Sequence, residues 1–419
     1  MKKIAVIGSG ISGLVCSWVL QRKHQVTLLE ARDYLGGHTH TVDVESDGKS
    51  YAIDTGFIVY NDRTYPNFIK FLQQLGVSSS KTEMGFSVSS PSFEMGYGGS
   101  FLDFVIAQKW HLLNPSRYKL IYEILRFNDL CLKLEAEGKI PYDLDIDSFL
   151  KKNGFSQKFR NHYLLPMISA IWSSSYNESA GFSLYFFIKF FSHHGLLSVN
   201  NRPQWYVIQK GSREYVSALM AQADFEVRLN SPVKSVRRNS DSVEVSTLDR
   251  TETYDEVIFA CHSDQALKIL SDASDLEKEI LGALPYQENQ VTLHTDISRL
   301  PKNKRNWASW NYMIEQPTDM ESAQVKVSYN MNILQGIQSP KTFVVSLNQD
   351  ELIDPKKILR QFKYWHPVFS KESEQYKARR DEISGVNRTY FCGAYWHSGF
   401  HEDGVVSALA VLSKLGMTL

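Results

Sequence analysis

The chain has 419 residues, 43% of them hydrophobic and 22% charged, enough apolar material for a large buried core and two domains. Its 46 basic residues balance 46 acidic ones, so no basic field offers itself to nucleic acid. Four cysteines, Cys16, Cys131, Cys261 and Cys392, stand far apart without a C-x-x-C, which predicts free buried thiols in a reducing cytoplasm. The sequence opens in a strand with no leader pattern, and no apolar run of about 18 residues could span a bilayer.

The run Lys3-Ile4-Ala5-Val6-Ile7 reads as an apolar strand leading into Gly8-Ser9-Gly10-Ile11-Ser12-Gly13 and then into a helix. In this order Gly8 permits the tight turn, Gly10 lets the backbone approach a pyrophosphate, and Gly13 lets the helix pack closely on the strand. The helix N-terminus, with Ile11 and Ser12 in its first turn, offers free N–H groups to phosphates. A second strand, Gln25-Val26-Thr27-Leu28-Leu29, ends at Glu30, at the spacing of about 20 residues where a carboxylate accepts hydrogen bonds from a ribose. The opening unit therefore predicts a dinucleotide site.

The run Glu30-Ala31-Arg32-Asp33-Tyr34-Leu35-Gly36-Gly37-His38-Thr39-His40-Thr41 resembles the glycine-doublet signature of flavin-containing amine oxidases, protoporphyrinogen oxidases and carotenoid desaturases. The resemblance implies FAD, with contacts at Glu30, Ala31, Arg32, Gly36, Gly37 and Thr39. Those families usually place arginine after the doublet; His38 stands there in this chain, which implies a weaker or pH-dependent phosphate contact. Further on, Tyr51-Ala52-Ile53-Asp54-Thr55-Gly56-Phe57-Ile58-Val59-Tyr60 resembles the family's D-x-G strand and implies flavin contacts at Thr55, Gly56 and Phe57. Pro66 occupies a helix N1 position and opens a helix from Asn67 to Leu75.

Residues 81–204 read as the helical half of a substrate domain, with one helix over Ser116 to Leu134. The segment Phe182 to Phe191 is apolar on nearly all sides. It is either a helix buried between domains or one whose aromatics line a greasy tunnel or dip into a bilayer surface. In the last case Lys109, Trp110, Leu112, Leu113, Arg117 and Lys119 form the rim of the patch, and peripheral contact with the inner membrane is expected.

Residues 205–285 return to the flavin domain through strands at Val233-Lys234-Ser235-Val236, Val243-Glu244-Val245 and Asp255 to Ala260, then a helix at Asp264 to Leu270. The resemblance puts Val233 against the adenine. Residues 286–384 alternate strand-like segments at Val291 to His294, Val325 to Tyr329 and Thr342 to Leu347. The expected fold is α/β: a Rossmann-like FAD-binding domain of 1–80, 205–285 and 385–419, interleaved with an α+β substrate domain of 81–204 and 286–384.

Thr389 to Ala394 reads as a short buried strand, and Gly399-Phe400-His401-Glu402-Asp403-Gly404-Val405 as a turn opening the last helix. This resembles the closing motif of the same superfamily, whose helix N-terminus points at the flavin N1–C2=O edge. It implies contacts at Gly393, Ala394, Gly404 and Val405, with Asp403 near the dinucleotide chain. No cysteine lies where covalent relatives attach the cofactor, so FAD is expected to be non-covalent. Phe400 matches the aromatic facing the flavin, and with Tyr395 and Trp396 it is the expected substrate wall. The pairs His38/His40, His193/His194 and His397/His401 lack carboxylate or cysteine partners, so no metal is expected.

Over nearly its whole length the pattern, including Arg202-Pro203-Gln204-Trp205 and Gly399 to Gly404, resembles bacterial FAD-binding oxidoreductases often found beside cyclopropane fatty acyl synthases. Amine oxidases keep a lysine on a substrate-domain strand; Asn289 to Thr295 contains none. The leading expectation is an FAD-dependent oxidoreductase that removes hydride from, or desaturates, a lipophilic substrate such as a fatty acyl chain. His397 or His401 would be the base, and a cyclopropane fatty acyl synthase-like enzyme a functional partner. The alternatives are a flavin amine oxidase, a double-bond isomerase with no net redox, and a non-catalytic flavoprotein subunit of a lipid-modifying system.

Overall fold

The computed structural model describes residues 1–90, 93–97, 115–172, 175–198, 202–314 and 325–419. Of the rim expected around the aromatic helix, Lys109, Trp110, Leu112, Leu113 and the Arg117 side chain lie outside the described residues, and Lys119 is exposed.

Five parallel strands lie in the order Glu226–Arg228, Gln25–Leu29, Lys3–Ile7, Glu256–Phe259, Thr389–Phe391. The central strand is covered on both faces, which is why its sequence is a continuous apolar run: Ile4, Ala5 and Val6 are fully buried. The first helix, Ile11–Leu20, is buried along its whole length because the last helix, His401–Lys414, packs across it. Close packing on the strand depends on Gly13, where a Cβ would stand 1.9 Å from the Gly8 carbonyl oxygen.

A second sheet has seven strands, in the order Ile358–Pro367, Tyr286–His294, Val344–Leu347, Val327–Asn330, Trp310–Met313, Phe86–Ser90, Phe93–Tyr97. Every pairing is antiparallel except that of Trp310–Met313 with Phe86–Ser90. Helices from Pro115–Ala136 to Leu184–His193 pack over one end of this sheet around Phe127, Phe159, Leu164 and Phe187.

The aromatic helix, Leu184–His193, sends Leu184, Phe187, Ile188 and Phe191 into that core, while Lys189 is exposed. Phe182, Phe186 and Phe190 fall four residues apart and so share one stripe. Among the described residues no helix is long and apolar enough to cross a membrane. The strand expected from Val233 begins instead at Ser235, leaving Val233 in a half-buried loop after Pro232, which has no N–H to give a ladder.

Candidate functional site

The N-termini of the first and last helices meet. Ser12 Oγ donates to the Gly404 carbonyl at 2.8 Å, and a Cβ on Gly404 would lie 2.6 Å from Ile11 Cγ2. Gly10 caps the first helix without a side chain, which leaves first-turn N–H groups for a ligand. A Cβ on Gly10 would meet nothing within 4 Å, whereas Gly37, at φ 61, brings its backbone against Gly10. The result is an open slot walled by backbone. At its edge Glu30 is buried; one oxygen accepts from Ser9 N (2.9 Å) and Ser9 Oγ (2.6 Å), the other from Arg32 N (2.9 Å). Ala31 and Arg32 are exposed, and the Arg32 guanidinium lies over the Tyr34 ring.

Several motif side chains brace the walls. Thr39 Oγ1 is bonded to Tyr215 Oη at 2.5 Å, and Thr55 Oγ1 to Tyr364 Oη at 2.9 Å. Gly56 runs so close to His38 that a Cβ would stand 2.1 Å from its carbonyl oxygen, and Phe57 N donates to the same oxygen at 2.7 Å. Asp54 is fully buried, accepts from Ser212 N, Ser212 Oγ and Thr41 Oγ1, and is raised by burial to about 6. Gly36 N donates to Ser9 O at 3.0 Å, Gly393 N to Ser407 Oγ at 3.0 Å, and Val405 is fully buried behind them.

His38, the departure from arginine, has an enclosed Nε2 with no hydrogen-bond partner among the described residues. Its ring centroid lies 5.4 Å from that of His366 and 6.3 Å from that of His262; burial, then these neighbours, hold its pKa well below the usual imidazole range. A neutral ring can meet a ligand by hydrogen bonding but brings no charge. In the lysine-free strand, fully buried Asn289 donates to His366 Nδ1 at 2.9 Å and accepts from Asn348 Nδ2 at 2.9 Å.

A cavity of about 440 Å³ opens beside the last helix, bounded by Thr64 to Asn67, the aromatic helix and the turn into His401. Its apolar wall is Phe186, Phe190 and Phe400, with the Phe400 ring stacked on Phe190 at 5.0 Å and His194 on Phe190 at 3.9 Å. Glu402 and Asp403 form its acidic side. Both oxygens of Glu402 are committed to the N-terminus of the Pro66–Leu75 helix, accepting from Asn67 N (3.0 Å), Asn67 Nδ2 (2.7 Å) and Phe68 N (2.9 Å).

Of the expected substrate wall, Phe400 reaches this cavity. Tyr395 and Trp396 do not: each is 3% exposed and packs with Phe259, Phe391 and Tyr286. The reason is local, since the tight Ala394–Trp396 turn follows the strand directly and folds both rings back onto its core. The expected bases also stand elsewhere. His397 is exposed, and its carbonyl accepts from Lys377 Nζ at 2.6 Å. His401 stacks on Phe57 at 3.7 Å, meets Tyr215 Oη at 3.1 Å, and is lowered by burial to about 3. The four-residue spacing of Phe182, Phe186, Phe190 and His194 was the sequence signal for the wall. Among the described residues no group of three or more histidine, cysteine or acidic side chains could hold a metal ion.

A helix N-terminus free to meet phosphate, a buried acid at the ribose position and a second, largely antiparallel sheet define an FAD-binding fold of the amine oxidase type. The chain belongs to the flavin containing amine oxidoreductase family, whose model matches residues 11–290. It is 26% identical over 270 residues to the flavin-containing amine oxidase of Oncorhynchus mykiss, covering 60% of this chain and 48% of that one. It spans about half the length of the curated relatives it matches. Its fold is similar to that of a CLA-producing fatty acid isomerase from P. acnes (TM-score 0.71, 16% identity, 99% of this chain and 98% of that one). It is similar as well to that of a redesigned mutant of putrescine oxidase (TM-score 0.70, 14% identity, 99% of each chain). The family's cofactor is FAD; the Gly10 slot, the uncapped first helix and Glu30 fit its pyrophosphate and ribose.

Proposed function

We propose that the chain is an FAD-dependent oxidoreductase that removes hydride from, or desaturates, a lipophilic substrate, most simply a fatty acyl chain. FAD, when bound, supplies the hydride acceptor. The fold alone does not choose a substrate, since it is shared with a fatty acid isomerase and with a putrescine oxidase. The observation that carries the reading is the aromatic wall of Phe186, Phe190 and Phe400 beside the last helix N-terminus. An acyl chain gains about 0.8 kcal/mol per methylene buried against this wall, whereas an ammonium gains a cation–π contact of about 0.5–2 kcal/mol from the same rings and loses its hydration. Glu402 is already met by helix N–H groups, so Asp403 is the acid that an amine would meet in this cavity.

Anaerobic mixing should bleach the flavin with unsaturated or methylated acyl lipids, while mono- and polyamines leave it oxidised. Phe400→Ala should slow the bleaching with FAD still bound. Fast reduction by amines and none by acyl lipids would replace this reading with the amine oxidase. Conversion of an unsaturated lipid without bleaching would replace it with the isomerase. We extend the proposal to a link with a cyclopropane fatty acyl synthase-like enzyme, for which a changed profile of methylated lipids in cells lacking the chain is the test.

A further inference from the structure

The polar groups that line the cavity differ in how far their hydrogen-bonding capacity is spent. Glu402 is committed on both oxygens, Lys189 pairs with Glu135 at 3.2 Å, and His194 Nδ1 is bonded to the Phe190 carbonyl at 2.9 Å. Burial pushes the Tyr65 hydroxyl far above the ordinary phenol range. Asp403 is an acid held at one oxygen only. Its Oδ2 is fixed by two backbone donors, Phe400 N at 2.8 Å and Ser398 N at 3.2 Å, while its Oδ1 has no hydrogen-bond partner among the described residues. The side chain is thus oriented, enclosed, and open to the cavity on one oxygen beside the Phe400 ring.

We propose that Asp403 is the acid–base residue of this cavity, exchanging a proton with the bound substrate through Oδ1. The inference rests on the reading of the cavity as the substrate site. In a desaturation one C–H bond breaks with its proton passing to Asp403 Oδ1 and its electron pair forming the C=C bond, while the hydride of the neighbouring carbon would need the two-electron acceptor that FAD supplies when bound. Burial raises the carboxyl to about 7 against the pull of the two N–H donors and Lys377, so both protonation states are populated near neutral pH. The charged and titratable neighbours are Lys377 and its partner Glu374 on one side, Glu402 alongside, and Arg63, Tyr65, Lys189, His193 and His194 across the cavity.

The test uses FAD-loaded protein with 13C-labelled aspartate carboxyls, decan-1-ol as a neutral occupant of the cavity, and oleate as the reductant. One carboxyl resonance should titrate near pH 7, be missing in Asp403→Asn, and shift its midpoint upward when decanol is added. Asn keeps an acceptor for Phe400 N, so FAD content should persist while oleate bleaching slows by about 100-fold or more and the rise in rate through the midpoint disappears. Asp403→Glu should restore part of the rate and a shifted limb. Asp403→Asn within a few-fold of wild type with the same pH limb, or a titration indifferent to decanol, would overturn the proposal. If oleate and other acyl lipids fail to bleach the wild type, the acyl-chain reading falls. The decanol-dependent titration then decides Asp403 by itself, sustaining the assignment if the midpoint moves and ending it if it does not.

Discussion

Gly10→Leu and Gly13→Ala should separate cofactor binding from folding, although the two glycines stand three residues apart in one motif. Gly10 sits at φ −62 and ψ 174, open to any residue, and a Cβ there meets nothing within 4 Å. Leucine should therefore leave the apo protein within about 0.5 kcal/mol of wild type while filling the phosphate slot. With free FAD at about 100 times Kd, wild type gains about 2.7 kcal/mol, or roughly 3 °C in Tm for a chain of 419 residues, and Gly10→Leu should gain nothing. At Gly13 the new methyl meets the Gly8 carbonyl oxygen at 1.9 Å and Ala260 Cβ at 3.1 Å. Neither neighbour can swing away, so alanine should cost about 1–3 kcal/mol or more in the apo protein. Thermal melts with and without FAD, alongside bound-flavin absorbance, read both effects. Normal flavin occupancy in Gly10→Leu would refute the placement of the slot, and a wild-type apo melt for Gly13→Ala would refute the helix-on-strand packing.

Phe187→Ser removes a fully buried ring that stacks on Phe191 at 3.9 Å and meets Phe127 at 5.7 Å, so urea unfolding should show a loss of about 3–5 kcal/mol. Unchanged stability with weaker flotation on anionic liposomes would instead put this helix at a bilayer. Asp54 is an acid whose folded pKa, about 6, lies above its ordinary 3.8, so the folded state holds its proton more tightly. Its contribution to stability is fullest below its unfolded pKa, falls as pH rises toward about 6, and is constant above. Asp54→Asn should therefore flatten the pH dependence of unfolding between about pH 4 and pH 7, and an unchanged slope would reject the assignment.

Periodicity and turn chemistry made the Rossmann half legible. The strands at Lys3–Ile7 and Gln25–Leu29 and the Pro66–Leu75 helix stand where apolar runs, glycines and a proline locate them. What a string could not give is the direction of side chains after a tight turn. Tyr395, Trp396 and Phe400 are near neighbours in sequence, yet two face the core behind the parallel sheet and one faces the cavity, because the Ala394–Trp396 turn folds two rings back and the chain turns again at Gly399, at φ 90, before Phe400. The cavity wall is non-local: Phe190 stacks on Phe400, far away in sequence, and only the i, i+4 spacing of Phe186 and Phe190 was readable in advance. His397 and His401 carried the chemistry one expects of a base, but where they stand is a tertiary property: His401 is held against Phe57 and Tyr215, and His397 is exposed.

The hydrogen bond from Ser12 to Gly404 joins positions 392 residues apart, and it sets the order in which the holoprotein can be assembled. A nascent chain presents the phosphate-facing N–H groups early, but the wall that closes over them arrives with His401–Lys414. Closing so long a loop costs little more than closing one half its length, about 0.6 kcal/mol per doubling. A flavin touching both ends then acts as a clasp, and in the cofactor-depleted protein the amides of the last helix should be among the first to exchange with solvent.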